Sequence, residues 1–121
     1  MAVTTTTASN PLVTTIVTDT DSDITVETAA GAAQNLYFVE IANTNTVAVY
    51  TKLIAAASGS NNSTQHYIQL YCPANTTCYF YVPANVAIAS GIQFYTSTAA
   101  GVGSQTSPTN DVIVKLGMTA Q

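Results

Sequence analysis

Residues 66–82 read HYIQLYCPANTTCYFYV, and this stretch decides the fold class of the chain. Apolar side chains alternate with polar or tyrosine side chains on both sides of a short turn, which is the period of a β-strand. The pattern predicts a hairpin in which Cys72 lies opposite Cys78. In that register, one face of the hairpin is apolar and is expected to lie in the core: Ile68, Leu70, Phe80 and Val82.

The other face of this predicted hairpin is a tyrosine panel, formed by Tyr67, Gln69, Tyr71, Tyr79 and Tyr81. Exposed aromatic patches are uncommon on solitary monomers, and tyrosine is enriched at protein interfaces. Three interpretations are open for the panel: a subunit interface, a second core face covered by other strands, and a platform on which sugars stack. Burial of these tyrosines within the isolated subunit would exclude the interface.

The remainder of the chain consists of short runs rich in Thr, Val and Ile, bounded by turn-forming residues, with no convincing helix. The runs cover residues 12–18, 24–27, 36–42, 47–54, 66–72, 78–82, 92–97 and 111–118. About eight short strands at this spacing predict an all-β fold, a single antiparallel β-sandwich that is jelly-roll-like. Residues 12–121 are expected to form this domain, and residues 1–11 an N-terminal arm. In the last run the inward residues are expected to be Val112, Val114, Leu116 and Met118.

The composition excludes several functions. Only 7% of the 121 residues are charged, with two lysines, no arginine and six acids, and none of them lies between Lys52 and Asp111. Two cations cannot neutralise a phosphate backbone or form a basic membrane-binding face, so we expect neither nucleic acid nor membrane as a partner. The first residues show no secretory signal, although the composition resembles that of an exposed surface protein. A virion component made in the host cytoplasm and released by lysis fits both observations.

Cys72 and Cys78 form a candidate disulfide, because opposed residues of an antiparallel ladder are close enough to be bridged. The alternative is a pair of buried thiols, as suits a protein made in a reducing cytosol. Glu40 and Lys52 lie in neighbouring runs and are candidates for an exposed ion pair.

Three acids at alternate positions, Asp19, Asp21 and Asp23, could bind calcium. They lack the glycine and the closing glutamate of an EF-hand, so an Asp-rich turn that bonds its own backbone is the alternative. His66 is the only histidine, and no acid–base constellation accompanies it. We therefore expect no catalytic residue, no metal site, no cofactor and no enzymatic activity.

Five short motifs carry a resemblance to a known family. They are LYFVEIAN at 36–43, VYTKL at 49–53, VPAN at 82–85, SGIQF at 90–94 and NDVIVKL at 110–116. In this order they resemble small β-sandwich structural proteins of tailed bacteriophages, which serve in capsid decoration or in tail and fibre parts. The resemblance implies a virion component, and decoration proteins of this kind are often trimers seated where capsomers meet. The residues before Asn35 match no motif of the family.

We therefore expect a non-enzymatic capsid cement (decoration) protein that stabilises the shell by binding across neighbouring capsid subunits. Its partners would be further copies of itself, as a homotrimer, and the major capsid protein, on the exterior of the particle. The first alternative is a receptor- or glycan-binding module of a tail or head fibre. The second is a filament subunit that donates residues 1–18 as a strand to its neighbour.

Overall fold

The computed structural model describes residues 3–7 and 13–121, and its regular structure is entirely β. The strands are Val3–Thr7 (β1), Thr15–Asp19 (β2), Glu27–Ala30 (β3), Gln34–Asn43 (β4), Val49–Ile54 (β5), Ile68–Cys72 (β6), Thr76–Ile88 (β7), Ile92–Ser97 (β8) and Val112–Ala120 (β9). They form two antiparallel sheets, sheet A in the order β1-β2-β9-β4-β7 and sheet B in the order β3-β8-β5-β6. The predicted all-β antiparallel sandwich is confirmed, and the jelly-roll connectivity stays a prediction. No helix in the described ranges could cross a membrane.

The core lies between the two sheets and is built from alternate residues of their strands. Strand β9 shows this most clearly, because Val112, Val114, Leu116 and Met118 are all buried, as the alternation predicts. From sheet B, Val49, Leu53, Ile92 and Phe94 complete the core against Leu36, Val39 and Ile41 of β4. Burial of these aliphatic and aromatic side chains supplies the main driving force for the fold.

The N-terminal residues that are described belong to sheet A. Val3–Thr7 forms its edge strand β1 and pairs antiparallel with β2, from Val3 opposite Asp19 to Thr7 opposite Thr15. The other residues of the predicted arm, 1, 2 and 8–11, lie outside the described residues. The same holds for residue 12, at the start of the predicted domain. In this structure β1 is paired within its own chain.

The predicted β6–β7 hairpin is wrong. Strand β6 pairs with β5 in sheet B, whereas β7 pairs with β4 in sheet A, so the intervening turn crosses from one sheet to the other. By crossing, β6 pairs with β5 and β7 pairs with β4, and the apolar sides of both strands face the interior from opposite layers. The turn is also anchored by Asn43, whose Nδ2 donates to the carbonyls of Val47 at 2.9 Å and Pro73 at 3.0 Å.

Strand β7 is interrupted in its second half. Leu36 pairs with Val86 and Phe38 with Tyr81, so residues 82–85 of β7 stand against Tyr37 alone. This bulge contains Pro83, which lacks an N–H donor and is tolerated because β7 lies at the edge of its sheet. The longest regularly paired stretch of β7 is therefore Thr76 to Tyr81.

Candidate functional site

Strands β6 and β7 together form one side of the sandwich, which we call the β6/β7 edge. Each is the terminal strand of its sheet. Neither contains a charged residue, because none occurs between Lys52 and Asp111. Natural sheets usually protect such edges with charged side chains, prolines or bulges, and here that protection is confined to residues 82–85. The β6/β7 edge is therefore able to pair with another chain.

An apolar cleft opens between the two strands of this edge. Its volume is about 210 Å³. Every residue that lines it is apolar: Leu36, Phe38, Val39, Leu53, Ile68, Leu70, Phe80, Val82 and Val86. The four residues expected to form the apolar face of the hairpin are among them, and they are half-buried, whereas the inward residues of β9 are fully buried. The sandwich is thus incompletely closed along this side.

The tyrosines are exposed. The exposed fractions are 58% for Tyr67, 51% for Tyr71, 56% for Tyr79 and 67% for Tyr81. These values exclude the interpretation of the panel as a second core face. The prediction of a single panel is also wrong, because β6 and β7 belong to different sheets. Tyr67 and Tyr71 lie on the outer face of sheet B, and Tyr79 and Tyr81 lie on the outer face of sheet A.

The tyrosines of sheet A belong to an aromatic cluster. The rings of Tyr79 and Tyr81 are nearly parallel, at 8°, with their centroids 6.1 Å apart. Tyr81 also contacts Phe38, at a centroid distance of 6.1 Å. On sheet B, Tyr71 packs against Tyr50 at 5.5 Å. Each pair of exposed tyrosines is thus extended by an aromatic residue of the neighbouring strand.

Gln69, the remaining residue of the predicted panel, forms a hydrogen bond with a loop. Its Oε1 accepts a hydrogen bond of 2.7 Å from the backbone N–H of Gly101. The same loop is fixed by Lys52, whose Nζ donates to Ala99 O at 2.6 Å, Gly101 O at 2.7 Å and Gln105 Oε1 at 2.7 Å. These three acceptors match the three donors of an ammonium group. Residues 99–105 therefore lie over the outer face of sheet B beside β6.

The predicted pairing of Glu40 with Lys52 is wrong, because the two residues belong to different sheets. Glu40 lies opposite Lys115 and Tyr79 in sheet A. Lys52 is buried, with its Nζ 5.3 Å from the centre of the Tyr95 ring. Burial lowers the pKa of Lys52. Burial also lowers the pKa of His66, and the charge of Lys52 adds to that effect.

The three acids of the first turn behave as an Asp-rich turn. Asp19 Oδ1 accepts from the backbone N–H of Asp21 at 3.1 Å, and Asp23 Oδ1 accepts from that of Thr25 at 2.8 Å. In the described part of the chain, no group of three side chains is placed to hold a metal ion. Burial raises the pKa of Asp19 to about 7, and the carboxylates of Asp21 and Glu27 add to the rise.

Comparison with protein-family models, curated proteins and solved structures finds no match for this chain. The function of this chain is therefore inferred from the geometry of the β6/β7 edge. The alternation in the sequence correctly separates the exposed tyrosines of β6 and β7 from the residues that face the cleft, but it reveals neither the edge nor the cleft. The usable signal was the uncharged stretch between Lys52 and Asp111, which leaves both strands without the charges that protect an edge.

Proposed function

We propose that this chain is a non-enzymatic structural protein that binds neighbouring protein subunits through the β6/β7 edge, as a cement protein on a bacteriophage capsid does. The observation that carries the proposal is the edge itself. It combines an open apolar cleft with two pairs of exposed tyrosines and carries no charge. Interfaces that hold subunits together are enriched in tyrosine and depleted of charge at their centre.

The edge suggests how a partner would be held. An apolar side chain entering the cleft would be removed from water together with Leu70 and Phe80, which gains about 25 cal/mol for each Å² of apolar surface buried. The outer backbone groups of β6, and of β7 up to Tyr81, can add a strand by main-chain hydrogen bonding. The tyrosines contribute contact area and a hydroxyl at the rim. No charged group has to lose its hydration in this contact.

The proposed partners are further copies of this chain, as a homotrimer, and the major capsid protein on the outside of the particle. Repetition of one interface over a symmetric shell multiplies a modest affinity, because the release of a linked subunit requires several contacts to open together. The shell would then resist rupture without any chemical reaction.

The test is binding of the purified chain to shells of the phage that encodes it, from which the protein has been stripped. Tyr79→Glu and Tyr71→Glu place a charge on exposed positions at either side of the edge. Thr5→Glu places the same charge on an exposed position of β1, at the opposite side of sheet A. We expect the two tyrosine variants to lose binding and the threonine variant to bind as wild type. Unchanged binding of both tyrosine variants would refute the proposal, and thermal denaturation would confirm that all three are folded.

A glycan-binding module of a fibre is the second candidate, and the aromatic cluster of sheet A favours it. The parallel rings of Tyr79 and Tyr81 are both exposed and resemble a surface on which a sugar ring could stack. Titration with a panel of host-surface oligosaccharides, followed by tyrosine fluorescence, tests this candidate. Saturable binding that Tyr81→Ala abolishes would favour the fibre module, and the absence of binding across the panel would leave the cement protein as the better candidate.

A further inference from the structure

We infer that Cys72 and Cys78 form an intramolecular disulfide bond that ties sheet A to sheet B when the folded protein meets a small-molecule disulfide such as oxidised glutathione. Both residues are free thiols in this structure. The bond differs from the one expected from the sequence, which would have joined two strands of one hairpin. Because β6 and β7 belong to different sheets, the bond would instead join the two layers of the sandwich.

The position of the Cys72 sulfur supports the inference. Cys72 ends β6 and is fully buried, with its thiol donating to Thr76 O at 3.2 Å. The same sulfur lies 3.6 Å from the carbonyl oxygen of Ile41. Ile41 is the residue of β4 that stands directly opposite Cys78. The sulfur of one cysteine therefore lies against the backbone that surrounds the other.

Cys78 is directed into the same space. It is half-buried and packs against the hydrophobic core. Burial raises the pKa of Cys72 to about 12, and the neighbouring thiol of Cys78 contributes to that shift. Opposed residues of an antiparallel pair have Cα atoms about 4.5–5.5 Å apart, so Cys78 lies close to the Ile41 carbonyl that the Cys72 sulfur contacts.

The backbone on either side of the pair is held in place. Asn43 Nδ2 donates to Cys72 O at 3.4 Å as well as to Pro73 O, and the N–H of Asn75 donates to Asn45 O at 3.0 Å. The turn between the cysteines is thus tied to the loop that follows β4. A dithiol held in one geometry by the fold has a high effective concentration, which favours the disulfide over two separate adducts.

The reaction proceeds in two exchange steps. The thiol of Cys78, which is the more accessible, loses its proton, and the thiolate attacks one sulfur of glutathione disulfide. The S–S bond of the oxidant breaks, and one glutathione leaves as a thiolate that takes up a proton. Cys72 then loses its proton and attacks the Cys78 sulfur, and the second glutathione leaves in the same way. Two protein thiols are oxidised, and one glutathione disulfide is reduced to two glutathione thiols.

The second step requires the thiolate of Cys72, because only the thiolate attacks a disulfide. Burial raises the pKa of Cys72, so bond formation is expected to become faster as the pH rises. The bond would sit at the turn end of the cleft, because Cys72 and Cys78 are the next inward positions beyond Leu70 and Phe80.

The experiment uses the full wild-type chain, so no variant has to fold. The folded protein is equilibrated with mixtures of reduced and oxidised glutathione, alkylated and weighed by mass spectrometry, and the same is done in concentrated urea. We expect a monomer that has lost two hydrogens and resists alkylation. The ratio of oxidised to reduced glutathione at half-oxidation should be at least about tenfold lower for the folded chain than for the unfolded one.

Three results of the glutathione experiment would overturn the inference. They are glutathione adducts that persist on both cysteines, dimers joined through Cys78, and a bond that forms no more favourably in the folded chain than in urea. Oxidation should also raise the thermal midpoint, because the bond constrains the unfolded chain. An oxidised protein with a lower midpoint would mean that the fold opposes the bond, and it too would contradict the inference.

Discussion

The ring of Phe38 occupies the space beside Gly117 in which the β-carbon of any other residue would lie. The two residues stand opposite each other in β4 and β9, on the outer face of sheet A. An aromatic ring that covers a glycine of the neighbouring strand shields a stretch of backbone that would otherwise be exposed. The pair also places Phe38 against Tyr81 of the β6/β7 edge.

Gly117→Ala is therefore expected to destabilise the protein. The added methyl group collides with the Phe38 ring, which must leave its place, and overpacking of this kind costs about 1–3 kcal/mol. Urea denaturation measures the change in the free energy of unfolding. Gly31→Ala is the matched control, because nothing lies within 4 Å of its β-carbon position, and it should be close to neutral. Equal costs for the two substitutions would contradict this account.

Lys52→Met is expected to loosen the loop at residues 99–105. The substitution keeps much of the buried stem of the side chain but removes the donor for three oxygen atoms, and a buried acceptor without a partner costs about 1–3 kcal/mol. Hydrogen exchange at the amides of Gly101 and Thr106 should become faster, beyond any change in global stability. Lys115→Met removes the same charge from a half-buried position and should leave exchange in the loop unchanged.

Asp19→Asn is expected to remove a loss of stability that wild type shows as the pH rises. The folded-state pKa of Asp19 is raised from 3.8 to about 7, so the folded protein holds its proton more tightly than the unfolded chain. The stability that protonated Asp19 contributes is therefore fully present below about pH 4, and it is lost as the pH rises to about 7. Relative to wild type, the Asn variant should gain stability through this interval and level off above it, by about 1–4 kcal/mol.

Chemical denaturation of wild type and Asp19→Asn at pH 4, 5.5, 7 and 8, values spanning the cited interval, measures this difference. Asp111→Asn removes the same charge from an exposed position and is the control for the change in net charge. A difference for Asp19→Asn that stays flat between pH 4 and 7 would contradict the predicted linkage.

Association through the β6/β7 edge, if the proposed function holds, should depend little on salt. Screening acts on charges, and neither β6 nor β7 carries one. Titrations of the chain against its shell at low and high sodium chloride should give dissociation constants within about threefold of each other. A steep loss of affinity with rising salt would point to a different, charged contact surface.

The sequence predicts which side chains of a strand point inward, but it does not predict which strands pair with each other. The alternation in Val112–Ala120 indicates which residues point inward, and the structure agrees. The same alternation in β6 and β7 correctly separated the tyrosines from the aliphatic residues. It says nothing about which strand lies alongside, because a turn such as Pro73-Ala74-Asn75 can close a hairpin or cross between sheets. The preference for crossing comes from packing against β4 and β5, which lie far away in sequence.

The burial of Lys52 could not be predicted from the sequence, for a related reason. Its position in the alternation of β5 places it on the outer face, where a lysine is ordinarily solvated. The loop that covers it begins 47 residues later in the chain, and its carbonyl oxygens carry no pattern that a sequence reveals. The cleft could not be predicted from the sequence either, because it depends on the distance between two sheets.

The placement of the two lysines also determines how susceptible the folded protein is to cleavage by a trypsin-like protease. The bond after Lys52 lies in β5, between β6 and β8, and the bond after Lys115 lies in β9, between β2 and β4. With no arginine in the chain, every bond that trypsin can cut lies inside a strand flanked on both sides. Cleavage then requires the sandwich to open, so the rate of digestion at low protease reports the equilibrium population of open molecules.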